Sequence, residues 1–384
     1  MTEWQEMALT SLGRFSSGKP IAPGQNGPYK AFGSNGVIGG SQDSRHEGGI
    51  IVGRVGAYCG SVAVSRDPFW ASDNTIVIEP EIYADLDYLY YLLRSANLNR
   101  HAGGSAQPLV TQGTLKALRF RVPSGGERAR IGWVLRNFDN LIENNRRRVE
   151  VLEEMARSIY REWFVHFRYP SHETVPLVDS PRGPIPEGWS VTSLGQAADI
   201  TMGQSPKSEF YNDEGIGSPF HQGVTGFGAN FPSTRKWCSA PGRSARDGDI
   251  LVSVRAPVGR LNVADVEMTI GRGLGALRAK DGRQGLLLGH MRQVFAEEDS
   301  MGGGTIYKAI GKQEFSGIIL LVAPTELSER AESLLADNLG LIKTLTYENR
   351  QLTAMRDLLL PKLVTGQIDV STLDLDGLLE GAVA

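Results

Sequence analysis

Cysteine is nearly absent from this chain: Cys59 and Cys238 are the only two among 384 residues. Two thiols make neither a disulfide framework nor a cysteine-based zinc site, so both are read as structural. Histidine is sparse as well, and His46, His101, His166, His172, His221 and His290 are scattered without an HExxH pair. No apolar run approaches the roughly 20 residues that span a bilayer, so no membrane partner is expected. The start, MTEWQEMALTSLG, has no basic segment ahead of an apolar one, which argues against a signal peptide and for a cytoplasmic location. The net charge of −3 does not announce a nucleic-acid partner. In a chain long enough for two or more domains, however, acidic faces can offset a local basic stripe.

Catalytic patterns are missing in the same way. DPFW at 67–70 is similar in part to the Asp/Asn-Pro-Pro-aromatic motif of amino-group DNA methyltransferases. It lacks the second proline and a preceding glycine-rich cofactor loop, and reads as a structural turn. GRGLG at 271–275 has neither the βαβ context nor the downstream acid of a dinucleotide fingerprint. GKQEF at 311–315 lacks the upstream glycine and the hydroxyl residue of a phosphate loop. No GxSxG elbow occurs, and no cluster of two acids and a lysine stands out. The chain reads as non-catalytic, with no metal and no cofactor of its own.

What the chain does have is a repeat. GGIIVGRVGAYCGSV at 48–62 is matched by GDILVSVRAPVGRLN at 248–262. At the same offset of 200, Leu141, Ile142, Leu152, Met155 and Ile159 fall on Leu341, Ile342, Leu352, Met355 and Leu359. Gln112 and Pro123 meet Gln313 and Pro324 at 201, and TSLG at 10–13 recurs at 192–195, which puts about 18 extra residues early in the second copy. The period is far too long for a solenoid. The chain is a tandem duplication with diverged halves.

Each half has a glycine-rich, strand-rich front and a helical back. IIV, SVAV and TIVIEP in the first half, and DILVSV, LGALRA and GIILLVAP in the second, read as strands between turn signals. LDYLYYLLRSANL at 86–98 and LLLGHMRQVF at 286–295 are the helices of the two fronts. From Glu127 to Phe167 there is no proline and a single glycine, Gly132, and Ile131, Val134, Phe138, Leu141, Leu152, Met155 and Ile159 keep helical spacing. At 1.5 Å per residue this is a rod of roughly 60 Å. The matching rod runs from about Glu326 to Leu360, with Ala331, Leu334, Leu341, Leu345, Leu352, Met355 and Leu359 on its stripe and Pro361 ending or kinking it. Each stripe needs a partner, and the two rods are expected to pair antiparallel about a rough two-fold axis. The same seam would carry Asn145 and Arg148 near the middle, with Arg148 within a turn of its equivalent Glu348, fixing register. The expected division is a first domain at 1–125, a spacer helix at 126–168, an extended proline-rich linker at 169–188, a second domain at 189–325, a spacer helix at 326–366 and a loosely ordered acidic tail at 367–384.

Two different binding domains on a rod of fixed length suit duplex DNA, where a fixed separation becomes a fixed number of base pairs. The order of GWSVTSLG, GQSP at 203, GDILVSVRAPVG at 248, GGGTIYKAIGKQEFSGIILLVAP at 302, IPEGW at 185, MARSIYREWFV and MRDLLLPKLVTGQI resembles the specificity subunits of type I restriction-modification enzymes over nearly the whole chain. The resemblance implies an α+β fold. Two mixed target-recognition domains would be separated by two long antiparallel coiled-coil helices and would read a bipartite asymmetric site on double-stranded DNA. It also implies docking of two methyltransferase subunits, which would carry S-adenosylmethionine, and a separate motor-nuclease subunit. RVGAYCG in the first half departs from the RAPVG of the second. A methylation-only system using the same scaffold, a coiled-coil protein adaptor, and a self-sufficient methyltransferase or nuclease are the other readings.

DNA readers need Arg or Lys for phosphates and guanine, Asn or Gln for adenine, and polar turns for positioning. In the first half, Lys19, Tyr29, Lys30, Arg54, Asn74, Gln107 and Gln112 meet that need. In the second half it is met by Gln204, Lys207, His221, Gln222, Arg235, Lys236, Arg255, Arg272, Lys308 and Gln313. Any one of them could equally be a solvated surface group; Arg54 and Arg255, expected at equivalent places, could each hold a turn. The run NNRRRVE at 144–150 splays around a helix, so Arg146 and Arg147 suit partner docking or solvent better than DNA. Tyr160, Trp163 and Phe164 would either pack on a recognition domain or anchor the methyltransferase.

Overall fold

A computed structural model of the chain describes residues 4–21, 26–103, 108–180, 183–300 and 309–370. It divides into two compact units, one of Met1–Asn144 with Glu348–Ala384 and the other of Asn145–Tyr347. The long helices are Gly125–Tyr160, continued by a π turn over Arg161–Val165, and Thr325–Val364. Each is shared, one end belonging to each unit.

In the first unit, Gly13–Ser17, Thr75–Pro80, Gly49–Gly53 and Val62–Ser65 form an antiparallel four-stranded sheet in that spatial order. Its central strands are mostly apolar and buried, Glu79 excepted, because both faces are covered. Ile50, Val52, Ile76 and Ile78 face a core with Tyr88, Leu89 and Leu92 of the helix Leu86–Ser95. Ile51 and Val77 face the other way, onto Phe32, Phe69 and Ala71 of a smaller sheet. In that sheet Tyr29–Gly33 runs antiparallel to Gly36–Ser41 and parallel to Phe69–Ala71. The strand Gln5–Ala8 pairs with Arg119–Val122, which leads into the long helix.

The second unit repeats this plan. Ala198–Met202, Leu274–Ala279, Ile250–Ser253 and Leu261–Val263 make the corresponding sheet. One face packs on Leu287, Leu288 and Met291 of the helix Gln284–Ser300, and the other meets Ala245, Met268 and Ile270. Ser190–Ser193 pairs with Ile319–Val322. Its register sets Ser190 opposite Val322 as Gln5 sits opposite Val122, so the N-terminal offset is 185. The TSLG match is thus displaced by three residues, and the extra segment is about 15 residues rather than 18. Leu115 and Phe315 are the buried residues of the short helices Gln112–Lys116 and Lys312–Ser316. That sets Gln112 against Lys312, not Gln313, and the following strands set Pro123 against Ala323, not Pro324.

The long helices carry one heptad seam at an offset of 200. Ile131, Leu135, Ile142, Asn145 and Ala156 are buried on the first, and Ala331, Leu335, Asn338, Ile342, Leu345, Arg356 and Leu360 on the second. A fully buried Leu such as Leu135 is worth about 1.5–3 kcal/mol relative to exposure. Within the first unit the segments run antiparallel: Asn349 Nδ2 donates to the Ile142 carbonyl at 3.2 Å, and Arg356 Nη1 to Asp139 Oδ1 at 2.6 Å. Within the second, Ala156 and Tyr160 share a cluster with Ala331 and Leu335. Val149 and Leu152 pack with Leu339 and Ile342. The expected stripe was partly misplaced. Leu141, Met155, Leu341 and Met355 are at least half exposed, and Leu334 is exposed too. Arg148 is also exposed, with the seam passing through Val149 instead. This removes the reason for pairing it with Glu348, which lies in the other unit.

Pro361 lies inside its helix, which continues to Val364. The proline-rich connector is not free: Leu177–Val178 pairs with Ile185–Pro186, and Tyr169, Ile185 and Trp189 are buried with Tyr160 and Phe164. After the second long helix the chain stays docked as far as Val370, which is fully buried, and Ile368 packs beside it. The rest of the expected tail lies outside the described residues.

Candidate nucleic-acid interface

In the second unit the strand Ile250–Ser253 delivers the RAPVG turn, and Ser253 closes it. Its hydroxyl donates to the Pro257 carbonyl at 2.6 Å and accepts from Arg260 N–H at 2.8 Å. Val254 N–H bonds the Gly273 carbonyl and Ile310 N–H bonds the Val254 carbonyl, while Arg255 bridges to Ala309. Arg255 is exposed, with no ion pair or side-chain hydrogen bond among the described residues. Next to this turn, three loops converge. Gly271 N–H bonds the His221 carbonyl, Gly273 N–H bonds the Gln222 carbonyl, and Gln204 N–H bonds the Ile270 carbonyl. Gln204, Gln222, Arg272 and Arg255 therefore share one rim. Lys236 joins through the Phe220 N–H on its carbonyl, with Arg235 beside it, both exposed. Lys207 is exposed and loosely paired with Glu209 at 3.8 Å. Gln313 is exposed at the start of its short helix. Lys308 lies outside the described residues.

His221 is buried rather than offered on the rim. It is 4% exposed, sits 3.4 Å from Thr234 Oγ1, and burial pushes its imidazole below its ordinary value. A neutral buried ring that supports a strand end explains it better than base contact.

In the first unit the counterpart turn, RVGAYCG, is held differently. Arg54 N–H bonds the Asn74 carbonyl and Val110 N–H bonds the Arg54 carbonyl, while Val55 bridges to Leu109. This is the pattern of Val254 and Arg255, so Arg54 corresponds to Val254 and Arg255 to Val55. Adjacent residues of extended chain point to opposite sides. Arg54 is half-buried, with Nη1 3.4 Å from the Asp73 carbonyl, and acts as a brace of the turn. The expected equivalence of the two arginines does not hold.

The polar groups of this unit form two neighbourhoods. Gln112 Nε2 donates to Ser17 Oγ at 2.9 Å, and Lys19 follows two residues on, exposed, with its carbonyl accepting from the Trp70 indole at 3.0 Å. Asn74 is exposed, but its carbonyl is taken up by Ser34. Tyr29 and Lys30 lie on the small sheet, where Lys30 is opposite Phe69 and Ala31 opposite Trp70. Arg45 stacks its guanidinium 5.8 Å from the Trp70 ring centre. Arg45 and Trp70 join this neighbourhood although DPFW reads as a turn in the sequence: its last two residues open the strand Phe69–Ala71, with Trp70 half-buried. Ser205 and Arg260 were missed in the second unit. Gln107 lies outside the described residues.

The expected docking aromatics are mostly internal. Tyr160 and Phe164 are buried, Tyr160 Oη lies 2.6 Å from His290 Nδ1, and the Phe164 ring meets Trp189 at 5.5 Å. Trp163 is half-buried, with Arg330 5.9 Å from its ring centre, while Arg146 and Arg147 are exposed. Four of the exposed apolar residues of the long helices repeat at the offset of 200, whereas Val151 and Leu358, also exposed, do not. The first unit carries Leu141 and Met355, and the second Leu341 and Met155, each 50–55% exposed. Among the described residues no helix is long and apolar enough to cross a membrane.

The repeated two-unit plan has counterparts among known proteins. Residues 1–154 match the type I restriction modification DNA specificity domain. The MjaX type I restriction enzyme specificity subunit of Methanocaldococcus jannaschii is 32% identical over 74% of this chain and 68% of its own length. The EcoprrI specificity subunit of Escherichia coli is 34% identical over 29% of this chain and 28% of its own. The crystal structure of the type I S subunit of M. genitalium superposes with a TM-score of 0.72 at 17% identity, covering 94% of this chain and 96% of that one, a likeness of fold. The chain belongs to the family of type I restriction enzyme specificity subunits.

Proposed function

We propose that the chain is the non-catalytic reader of a type I restriction-modification complex, each unit contacting one half of a bipartite, asymmetric site on double-stranded DNA. The observation that carries this is the 200-residue repeat. It supplies two rims of polar and basic groups that differ in their residues, together with two equal Leu/Met pairs. Unequal rims suit unequal half-sites. Equal apolar pairs suit two copies of one partner, the methyltransferase subunit, since exposed Leu and Met are natural interface anchors. S-adenosylmethionine would be held by that partner and cleavage performed by the separate motor-nuclease subunit, so the chain would play the same part in a methylation-only assembly.

The test is to co-express the chain with a methyltransferase subunit and to map methylated adenines in host DNA against a control lacking the chain. A new split motif with a fixed gap is the expected result; an active partner that yields no new motif refutes the reading. In the same assay Leu141→Glu with Leu341→Glu should lower methylation at all sites without changing the motif.

A further inference from the structure

The loop rim of the second unit contains one glutamine whose amide is already half used. Arg272 N–H donates to Ser205 Oγ at 3.2 Å, and the hydroxyl in turn donates to Gln222 Oε1 at 2.8 Å. Gly271 backs the same oxygen, since a Cβ there would come within 2.6 Å of it. The backbone of Gln222 is pinned as well, its carbonyl accepting from Gly273 N–H at 3.2 Å. The side chain is exposed, yet its oxygen is turned into the protein and its NH2 group is the part left over.

A free glutamine suits adenine, accepting from N6 while it donates to N7. In Gln222 the accepting oxygen is engaged by Ser205 and backed by Gly271, which leaves the NH2 group as the half offered outward. Arg272, exposed and joined to the same hydroxyl through its own backbone, adds donors only. A donor-only edge complements the base that shows two acceptors side by side in the major groove, guanine with N7 and O6. We propose that Gln222 and Arg272 together read a guanine in one half-site, with Ser205 holding the amide in the donor-outward sense. Adenine at that position would leave the exocyclic amine facing donors. The inference rests on the DNA-reading role proposed above.

The test uses the complex with the methyltransferase subunit and duplexes carrying the mapped site, with each guanine replaced in turn by 7-deazaguanine, which lacks the N7 acceptor. One position should cost the wild-type complex about tenfold in affinity, within the range of a single bidentate contact. The same replacement should cost a Gln222→Ala, Arg272→Ala complex little. Ser205→Ala, which frees the amide to turn, should let adenine substitute at that position. A wild-type complex indifferent to every 7-deaza replacement overturns the inference, as does an equal loss in wild type and double variant. A complex that yields no methylated motif at all brings down the DNA-reading role itself, so the two failures are distinguishable.

Discussion

At position 132 the first long helix has a glycine, and 200 residues later the second long helix has Glu332. In the first unit Gly132 lets the helix Leu86–Ser95 come so close that a Cβ would meet Tyr88 N at 2.6 Å. In the second unit the thinned residue is on the other helix: a Cβ at Gly285 would lie 3.0 Å from Ala336 N. Glu332 is then free to accept from Gly285 and Leu286 N–H at 3.0 and 2.7 Å, capping the helix Gln284–Ser300. The far ends of the rods differ in the same spirit. Tyr160 and Phe164 share a cluster with Trp189 and the proline-rich connector, where their equivalents Leu360 and Val364 pack with Trp4 and the docked residues up to Val370. What the repeat conserves is the closeness of helices and the covering of a tryptophan; which residue makes room is interchangeable.

The largest effect should come from forcing one unit to adopt the other's solution. Gly132→Glu inserts a side chain where backbone already sits, and should destabilise the first unit by about 3 kcal/mol, seen as an early transition in denaturant unfolding of the full chain. Next in size is the separation of the two arginines. Arg54→Ala should cost about 1 kcal/mol of stability through the lost brace. Arg255→Ala should leave stability within about 0.5 kcal/mol and weaken DNA binding by the complex several-fold. If the two variants behave alike, the one-residue displacement between the turns has no functional meaning. The smallest effect is acid sensitivity. Because burial depresses the His221 imidazole below its ordinary 6.5, its contribution is full above that value and is lost as pH falls through the window beneath it. Burial raises Glu332 from its ordinary 4.5, the opposite sign: its contribution is full below that value and lost as pH rises through the native one. The His221→Phe variant should flatten the loss of stability as pH falls below neutrality in the second unit, and Glu332→Gln should remove the loss that sets in as pH rises above 4.5.

Much of the frame was legible because it rests on runs with a single physical meaning. IIV, SVAV and TIVIEP became the strands Gly49–Gly53, Val62–Ser65 and Thr75–Pro80, since short β-branched runs between turn signals have one reading, clearest in the two central strands covered on both faces. The seam was legible only in part. Leu141 and Met155 sit one residue from the buried positions Ile142 and Ala156. An exposed apolar stripe beside a buried one cannot be told from it by hydrophobicity alone. The candidate site suffered from a similar one-residue ambiguity. Arg54 and Arg255 both follow an apolar strand, but their backbone partners place them on opposite sides of the chain. The polarity of the Gln222 amide was invisible altogether, because Ser205, Gly271 and Arg272 approach it from two other loops.

The first unit is assembled from the two ends of the polypeptide, Met1–Asn144 and Glu348–Ala384, whereas the second is continuous. During synthesis this inverts the usual order of maturation. Leu135 is made before Asn145–Tyr347, but its cluster partners Leu360 and Leu363 arrive only after the whole of that stretch. The unit translated first is completed last. A premature stop near residue 348 would thus spare the second unit, adjacent to the break, and cripple the first, encoded farther from it.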